Sequence, residues 1–304
     1  MARTRYAPDR GLTSRMLVTM FLLGLVYVVF VGAFFVFAPE WAFAALAIAG
    51  VFLLAQYFFS DRMTLFAMRG RIVSPREAPE LHGVVDRICA MSDTPKPKVA
   101  IADTDVPNAF ATGRNQKKAV VCVTTGLLRR LDPVELEGVL AHEMAHVAHR
   151  DVAVMTIASF LGICAGLITR FGLQFGLWGG LGRRNDQNTG LILLAVVAAS
   201  ALAYAISFLL TRALSRYREL SADRAAALLT GRPSALASAL TKVTGDIARI
   251  PTRDLRSAQA FNAFFFTPAF GRGVSVATLF STHPPLDKRL AQLSKISEQL
   301  SRGV

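Results

Sequence analysis

Cysteine is scarce in this chain of 304 residues. The three cysteines, Cys89, Cys122 and Cys164, are far apart and lack the short spacings of a cysteine metal site. Their odd number and apolar surroundings argue against a disulfide framework and fit a reducing compartment. Internal repeats and long disordered segments are missing as well, so we expect a non-repetitive, ordered protein.

Charged residues are absent from four long stretches, at 16–37, 41–59, 152–169 and 191–211. Hydrophobic residues make up 53% of the chain and the mean hydropathy is +0.41, which is unusual for a soluble protein. Each stretch approaches or exceeds the roughly 20 residues that cross a bilayer core, so we predict four transmembrane helices in two hairpins. The first apolar run is too long for a cleaved signal peptide. For the second pair, a buried hairpin within a soluble domain remains an alternative.

Acidic residues are fewer than basic ones, and the net charge is +13. We find no nucleic-acid motif, and most arginines flank the apolar stretches, so we expect contact with anionic lipid headgroups and no nucleic-acid partner. Arginines lie on both sides of the first hairpin and none in its turn, which predicts that both ends face the cytoplasm. The arginines in the loop Arg170–Gly190 conflict with an external position, so the second hairpin is either a full crossing or a shallow, tilted one.

These features predict a multi-pass protein of the cell (inner) membrane. The predicted parts are a cytoplasmic N-terminus at 1–15, transmembrane hairpins at 16–59 and 152–211, and two cytoplasmic segments at 60–151 and 212–304.

The cytoplasmic segments contain the stretch His142-Glu143-Met144-Ala145-His146. Histidines four residues apart share one helix face and can bind one metal ion, and a glutamate after the first can accept a proton from a metal-bound water. Two solvated histidines would be the non-functional explanation. Glu219 is the candidate third ligand, and Asp223, one turn later, is a candidate partner for the far nitrogen of His142.

Two other histidines are not expected to bind the ion. His149 lies about 10 Å along the helix axis from His142, too far for one ion to bind both, and the glycine with which some zinc peptidases break the helix is missing. His82 is isolated, so a structural role is expected.

The soluble parts contain both helices and strands. We predict a helix at 78–89, strands at 99–102 and 119–123, and an edge strand at 107–113 that either binds extended substrate backbone or is a plain hairpin strand. The metal-site helix begins at Asp132, with Pro133 and Glu135 forming a capping pattern. Further helices are predicted from 212 to about 230, at 234–247 and up to 300.

Two features near the C-terminus have open roles. Phe261–Phe266 is an aromatic patch that belongs to the core, the membrane interface or a substrate cleft. His283 either donates a hydrogen bond to a transition state or only begins a helix. Asn108, at the edge strand, is a further candidate substrate contact.

Four motifs in the same order make the chain resemble the HtpX family of membrane zinc metallopeptidases. They are Asn108–Ala111, His142–His146, Glu219–Asp223 and Thr282–Pro285. The resemblance implies one Zn²⁺ per chain bound by His142, His146 and Glu219, with Glu143 as base. It implies an α+β, mainly helical, zincin-like (gluzincin) fold, and an endopeptidase that degrades misfolded or damaged membrane proteins. It predicts nothing about the oligomeric state.

Two alternatives remain. CAAX-type prenyl proteases share the zinc motifs but have more membrane spans. A non-catalytic zinc-binding membrane holdase or scaffold would have no need to keep Glu143.

Overall fold

The computed structural model describes residues 9–37, 68–113, 115–149, 187–247 and 283–302, with scattered helical residues between 47 and 66 and between 151 and 170. The chain divides into two compact units. One comprises Met1–Leu12, Phe59–Ala153 and Ser215–Val304, and the other comprises Thr13–Phe58 and Val154–Leu214. The first unit contains the sheet and every candidate site residue.

The sheet has four strands: β1 Gly70–Ile72, β2 Lys98–Ala102, β3 Ala109–Thr112 and β4 Val120–Thr124. Their order is β1-β2-β4-β3, with β2 and β4 parallel and the two outer pairings antiparallel. The strands predicted at 99–102 and 119–123 are therefore confirmed. The edge strand is confirmed as well, since β3 ends the described sheet and pairs there with β4 on one side.

The helices have the bounds α1 Arg10–Phe37, α2 Pro79–Ser92, the short α3 Thr125–Leu128, α4 Pro133–Ala148, α5 Gln187–Thr230, α6 Pro233–Ile247 and α7 Leu286–Ser301. The predicted helices at 78–89 and 234–247 and the final helix are confirmed, each within a few residues. The predicted helix from 212 to about 230 is confirmed as well; it is the last part of α5, which continues without a break from the apolar run before it.

Helix α4 forms where the capping pattern predicted it. The Asp132 side chain accepts hydrogen bonds from the backbone N–H groups of Val134 and Glu135, and the Glu135 side chain accepts one from the N–H of Asp132. Such a reciprocal cap satisfies N–H groups that the first helical turn leaves free. Glu135 also accepts hydrogen bonds from Ser238 and Lys242 of α6. The side chain of Glu135 therefore helps to cap α4 and also holds α6 against it.

The core of the first unit lies between the sheet and helices α2 and α4 to α7. Leu136, Leu140, Met144 and Val147 are buried there, as the apolar spacing of α4 predicted. Helix α6 packs closely on α4 at Gly138, where an added Cβ would lie 3.3 Å from the backbone nitrogen of Leu236. Close packing on both faces makes α4 a rigid support for its histidines.

Two helices are long and apolar enough to cross a membrane among the residues that the structure describes. They are Arg10–Gly32 and Leu194–Thr230, with 11% and 17% of their most apolar windows buried. Leu17, Phe21 and Leu202 are exposed. The core helix of a soluble protein would be mostly buried, so these apolar surfaces fit lipid better than water.

The full helices α1 and α5 contain the first and fourth predicted membrane runs. The second and third, 41–59 and 152–169, fall mostly outside the described residues, and so do the loop 171–186 and the Phe261–Phe266 patch. A total of four spans therefore stays a prediction.

Candidate metal centre

His142, Glu143 and His146 lie on the core-facing side of α4 and are 0%, 5% and 6% exposed. The two imidazole rings meet edge to face, with their centroids 4.8 Å apart. Their Nε2 atoms are separated by 3.2 Å. The spacing of four residues therefore directs one nitrogen of each ring at a common point, which solvated surface histidines would not do.

Helix α5 brings Glu219 to the same point. Its Oε1 is 3.4 Å from His146 Nε2, and its Oε2 is 3.5 Å from His142 Nε2. One ligand atom from each of the three residues can be chosen so that all lie within 4.8 Å of one another. Within the described part of the chain, this is the group that could hold a metal ion, and His149 is not a member.

The separations of these atoms can be compared with those of a zinc site. A tetrahedral Zn²⁺ with nitrogen and oxygen ligands at about 2.0–2.1 Å keeps ligand atoms about 3.3–3.4 Å apart. Here the two histidine Nε2 atoms are 3.2 Å apart. The two oxygens of Glu219 are 3.4 Å from His146 Nε2 and 3.5 Å from His142 Nε2. Imidazole nitrogen and carboxylate oxygen are also ordinary zinc ligands. The donor set therefore fits zinc in both chemistry and spacing.

Asp223 lies next to the other nitrogen of His142. Its Oδ1 is 2.9 Å from His142 Nδ1. Arg289 of α7 donates two hydrogen bonds to Asp223, of 2.6 and 2.7 Å, and both side chains are almost fully buried. A carboxylate held in this way favours the tautomer that leaves His142 Nε2 free to bind a metal.

His146 has an equivalent carboxylate that the sequence interpretation missed. Asp151, fully buried, has its Oδ2 2.7 Å from His146 Nδ1. Arg218 Nε lies 3.0 Å from the same oxygen. Each histidine is thus backed by an aspartate, and each aspartate by an arginine.

Glu143 contacts the edge strand. One of its carboxylate oxygens accepts a 3.0 Å hydrogen bond from the backbone N–H of Ala111 in β3. The side of β3 that points away from β4 therefore faces this glutamate. Burial raises the pKa of Glu143, even though the two histidines act in the opposite direction.

The polar contacts of His146 also change its protonation. Burial alone would lower its pKa, but hydrogen bonds to Asp151 and Glu219 outweigh burial and raise the pKa to about 9. For Asp151, burial would raise the pKa, but the charge of Arg218 and the bond to His146 lower it. Asp151 is therefore ionised at neutral pH and is an acceptor for the N–H at His146 Nδ1.

The remaining histidines differ in their relation to the site. His283 is buried, and its Nδ1 is 3.0 Å from Glu219 Oε2, so it lies beside the candidate ligands. His149 caps the C-terminal end of α4 outside the ligand group, as the helix geometry predicted. The ring of His82 is 3.1 Å from the carbonyl oxygen of Val73, which agrees with a structural role.

Asn108 is buried at the start of the edge strand. Its backbone N–H donates to Thr124 Oγ1, and its carbonyl oxygen accepts from the N–H of Thr124. These bonds join β3 to the end of β4. They hold the edge strand in place, whereas a direct contact of Asn108 with substrate remains a prediction.

Two histidines directed at one point, a buried carboxylate beside them and a second glutamate form the kind of site that metallopeptidases use. Comparison with known sequences gives the family. Residues 75–297 match the sequence pattern of peptidase family M48, and the chain belongs to that family. The chain is a membrane metalloprotease.

Individual relatives are similar to this chain over nearly its full length. The chain is 65% identical over 301 residues to "Protease HtpX homolog 1" of Streptomyces coelicolor, covering 99% of this chain and 98% of that protein. It is 52% identical over 299 residues to "Protease HtpX homolog 2" of Methanosarcina mazei, covering 98% and 100%. The predicted HtpX resemblance is confirmed. The crystal structure of S. mikatae Ste24p matches with a TM-score of 0.52 at 18% identity, covering 94% of this chain and 67% of that one, which indicates a shared fold.

Proposed function

We propose that this protein is a zinc endopeptidase of the cell membrane that hydrolyses misfolded or damaged membrane proteins from the cytoplasmic side. His142, His146 and Glu219 hold one Zn²⁺, and Glu143 is the general base. The observation that carries the proposal is the meeting of three buried ligand side chains with Glu143 at one point. Zinc bound there would polarise the scissile carbonyl and lower the pKa of a water molecule to about 7.

The protein's own groups supply the proton transfers. Glu143 accepts the proton of the attacking water and delivers it to the leaving amine. Its raised pKa suits both steps, because a carboxylate with a very low pKa would hold the proton too weakly. The N–H of Ala111 holds one oxygen of Glu143, which leaves the other oxygen for the water. Near Glu219, His283 is suited to donate a hydrogen bond to the oxyanion of the transition state.

Strand β3 binds the substrate. A strand at the edge of a sheet offers backbone N–H and carbonyl groups that an extended peptide can pair with. Because every peptide has the same backbone, such binding tolerates many sequences and requires an unfolded segment. Both properties suit an enzyme that removes misfolded chains. The contact of Ala111 with Glu143 supports this role, because it brings the side of β3 that points away from β4 close to the base.

Membrane location and orientation follow from the charge pattern. The apolar helices Arg10–Gly32 and Leu194–Thr230 would be anchored in the bilayer. Arginines before the first helix and after residue 60 favour cytoplasmic ends for the first hairpin. Helix α5 bears both apolar surface and Glu219, so the metal site would lie close to the membrane, within reach of substrates that are themselves membrane proteins.

The test is cleavage of unfolded casein by the purified, zinc-loaded protein in detergent. Glu143→Gln should keep its zinc and lose at least about a hundredfold in rate, because general base catalysis contributes about 10²–10⁴-fold. Glu298→Gln is the matched control, since Glu298 is exposed on α7, and it should cleave at the wild-type rate. Substantial cleavage by Glu143→Gln would reject the assignment of the base.

The same preparation separates the two alternatives. A prenylated CAAX peptide cleaved in preference to casein would favour a prenyl protease. Prevention of casein aggregation that is equal in wild type and Glu143→Gln, without cleavage by either, would favour a holdase.

A further inference from the structure

His146 is held by a group that does not belong to its own helix. Asp151 lies five residues after His146, past the end of α4, and turns back so that its Oδ2 is 2.7 Å from His146 Nδ1. The Asp151 carboxylate is fully buried. A buried carboxylate is costly unless another group compensates its charge.

Arg218 supplies that compensation. Its Nε is 3.0 Å from Asp151 Oδ2, and its Nη2 is 3.4 Å from His146 Nδ1, so the guanidinium group closes around the same contact. Arg218 immediately precedes Glu219 in α5. One short stretch of α5 therefore provides a ligand candidate and also secures the carboxylate behind another ligand candidate.

We propose that Asp151 and Arg218 are positioning residues that act through His146 to retain the metal. Asp151 accepts the hydrogen bond of His146 Nδ1–H, which fixes the orientation of the ring and turns Nε2 towards the ion. Arg218 acts only through Asp151, by holding its carboxylate. This inference rests on the zinc site proposed above.

The two positioning residues are far apart in the sequence. Asp151 directly precedes the apolar run 152–169, and Arg218 follows the run 191–211 by seven residues. The ion pair therefore joins two parts of the chain beside the candidate metal site.

The experiment measures zinc affinity by competition with a chromophoric chelator, using the full-length protein in detergent. Asp151→Asn should weaken zinc binding by about 10–100-fold, the usual cost of losing a partner behind a ligand. Asp246→Asn is the matched control. Asp246 also pairs with an arginine, Arg130, at 2.9 Å, but lies outside the candidate metal group. The Asp246→Asn variant should bind zinc as tightly as the wild type.

Two further variants test the route through Asp151. Arg218→Gln should also weaken zinc binding, and the double variant Asp151→Asn/Arg218→Gln should be no weaker than Asp151→Asn alone, because groups that act through one contact are not additive. With cobalt in place of zinc, Asp151→Asn should change the visible absorption of the ion, which a purely structural loss elsewhere would leave unaltered. Thermal unfolding of each metal-free variant identifies any that do not fold.

The outcomes separate this inference from the function on which it rests. If the wild-type protein binds no zinc, the proposed function fails first. If wild type binds zinc, and Asp151→Asn matches both wild type and Asp246→Asn in affinity and in cobalt spectrum, the positioning role is wrong. Additive losses in the double variant would mean that Arg218 acts independently of Asp151.

Discussion

Replacing Arg289 by methionine should destabilise the protein strongly. Arg289 and Asp223 are 1% and 0% exposed and share two hydrogen bonds of 2.6 and 2.7 Å. Methionine fills a similar volume but offers neither charge nor donor. The variant therefore leaves the Asp223 carboxylate buried beside His142 without its cationic partner.

The magnitude follows from burial. Removing one partner of a buried ion pair typically costs about 3–5 kcal/mol, because the other charge keeps its desolvation penalty. For a protein of this size, 1 kcal/mol corresponds to about 2–4 °C, so the unfolding temperature should fall by about 6–20 °C. Adding Asp223→Asn to Arg289→Met removes the uncompensated charge, so the double variant should be more stable than Arg289→Met alone.

The assay is thermal unfolding of the metal-free proteins in one detergent, followed by circular dichroism. Arg129→Met is the matched control, because Arg129 pairs with Asp105 through side chains that are 60% and 87% exposed. Exposed pairs contribute about 0–1 kcal/mol, so this variant should unfold within about 4 °C of wild type. Equal shifts for Arg289→Met and Arg129→Met, or a double variant less stable than Arg289→Met, would refute the reasoning.

Two predictions concern the ligand set and the membrane topology. Glu219→Ala should lose bound zinc, whereas His149→Ala should keep it, because His149 lies about 10 Å along α4 from His142; equal zinc contents by metal analysis would make Glu219 the wrong third ligand. In a chain whose native cysteines are replaced, a cysteine at Asn185 should react with a membrane-impermeant reagent only from outside and one at Asn115 only from the cytoplasm. Labelling of Asn185 only from the cytoplasm would mean that the second hairpin does not cross.

Local sequence patterns predicted much of the fold because the residues that form each pattern lie only a few positions apart. The cap of α4 involves Asp132 and Glu135, three residues apart, and its core face repeats with helical spacing through Leu136 and Leu140. Strands β2 and β4 appeared as short runs of small and β-branched residues. Each of these depends on neighbours within one or two turns, so no tertiary information was needed.

The supporting ion pairs were missed because their partners are distant in sequence. Arg289 and Asp223 are separated by 66 positions, and Asp151 and Arg218 by 67. One of them did leave a signal. Arg289, Leu293 and Ile296 share the buried face of α7, so a charged residue stands where an apolar one is expected. A charge at such a position requires a buried partner, and Asp223 was available. Asp151 left no comparable signal, since it follows the end of a helix, where carboxylates are ordinary.

The distribution of the site over the sequence has an energetic consequence. The part of the chain before residue 152 contributes both histidines, Glu143 and Asp151. The part after residue 211 contributes Glu219, Asp223 and both arginines. The earlier part alone cannot neutralise the charge of Asp151, because the arginine beside that carboxylate, Arg218, belongs to the later part, whereas Asp223 and Arg289 both lie in the later part. A buried charge without its partner costs several kcal/mol, so the two parts are strongly driven to dock with their charges matched. The ligand set is complete only in that docked arrangement.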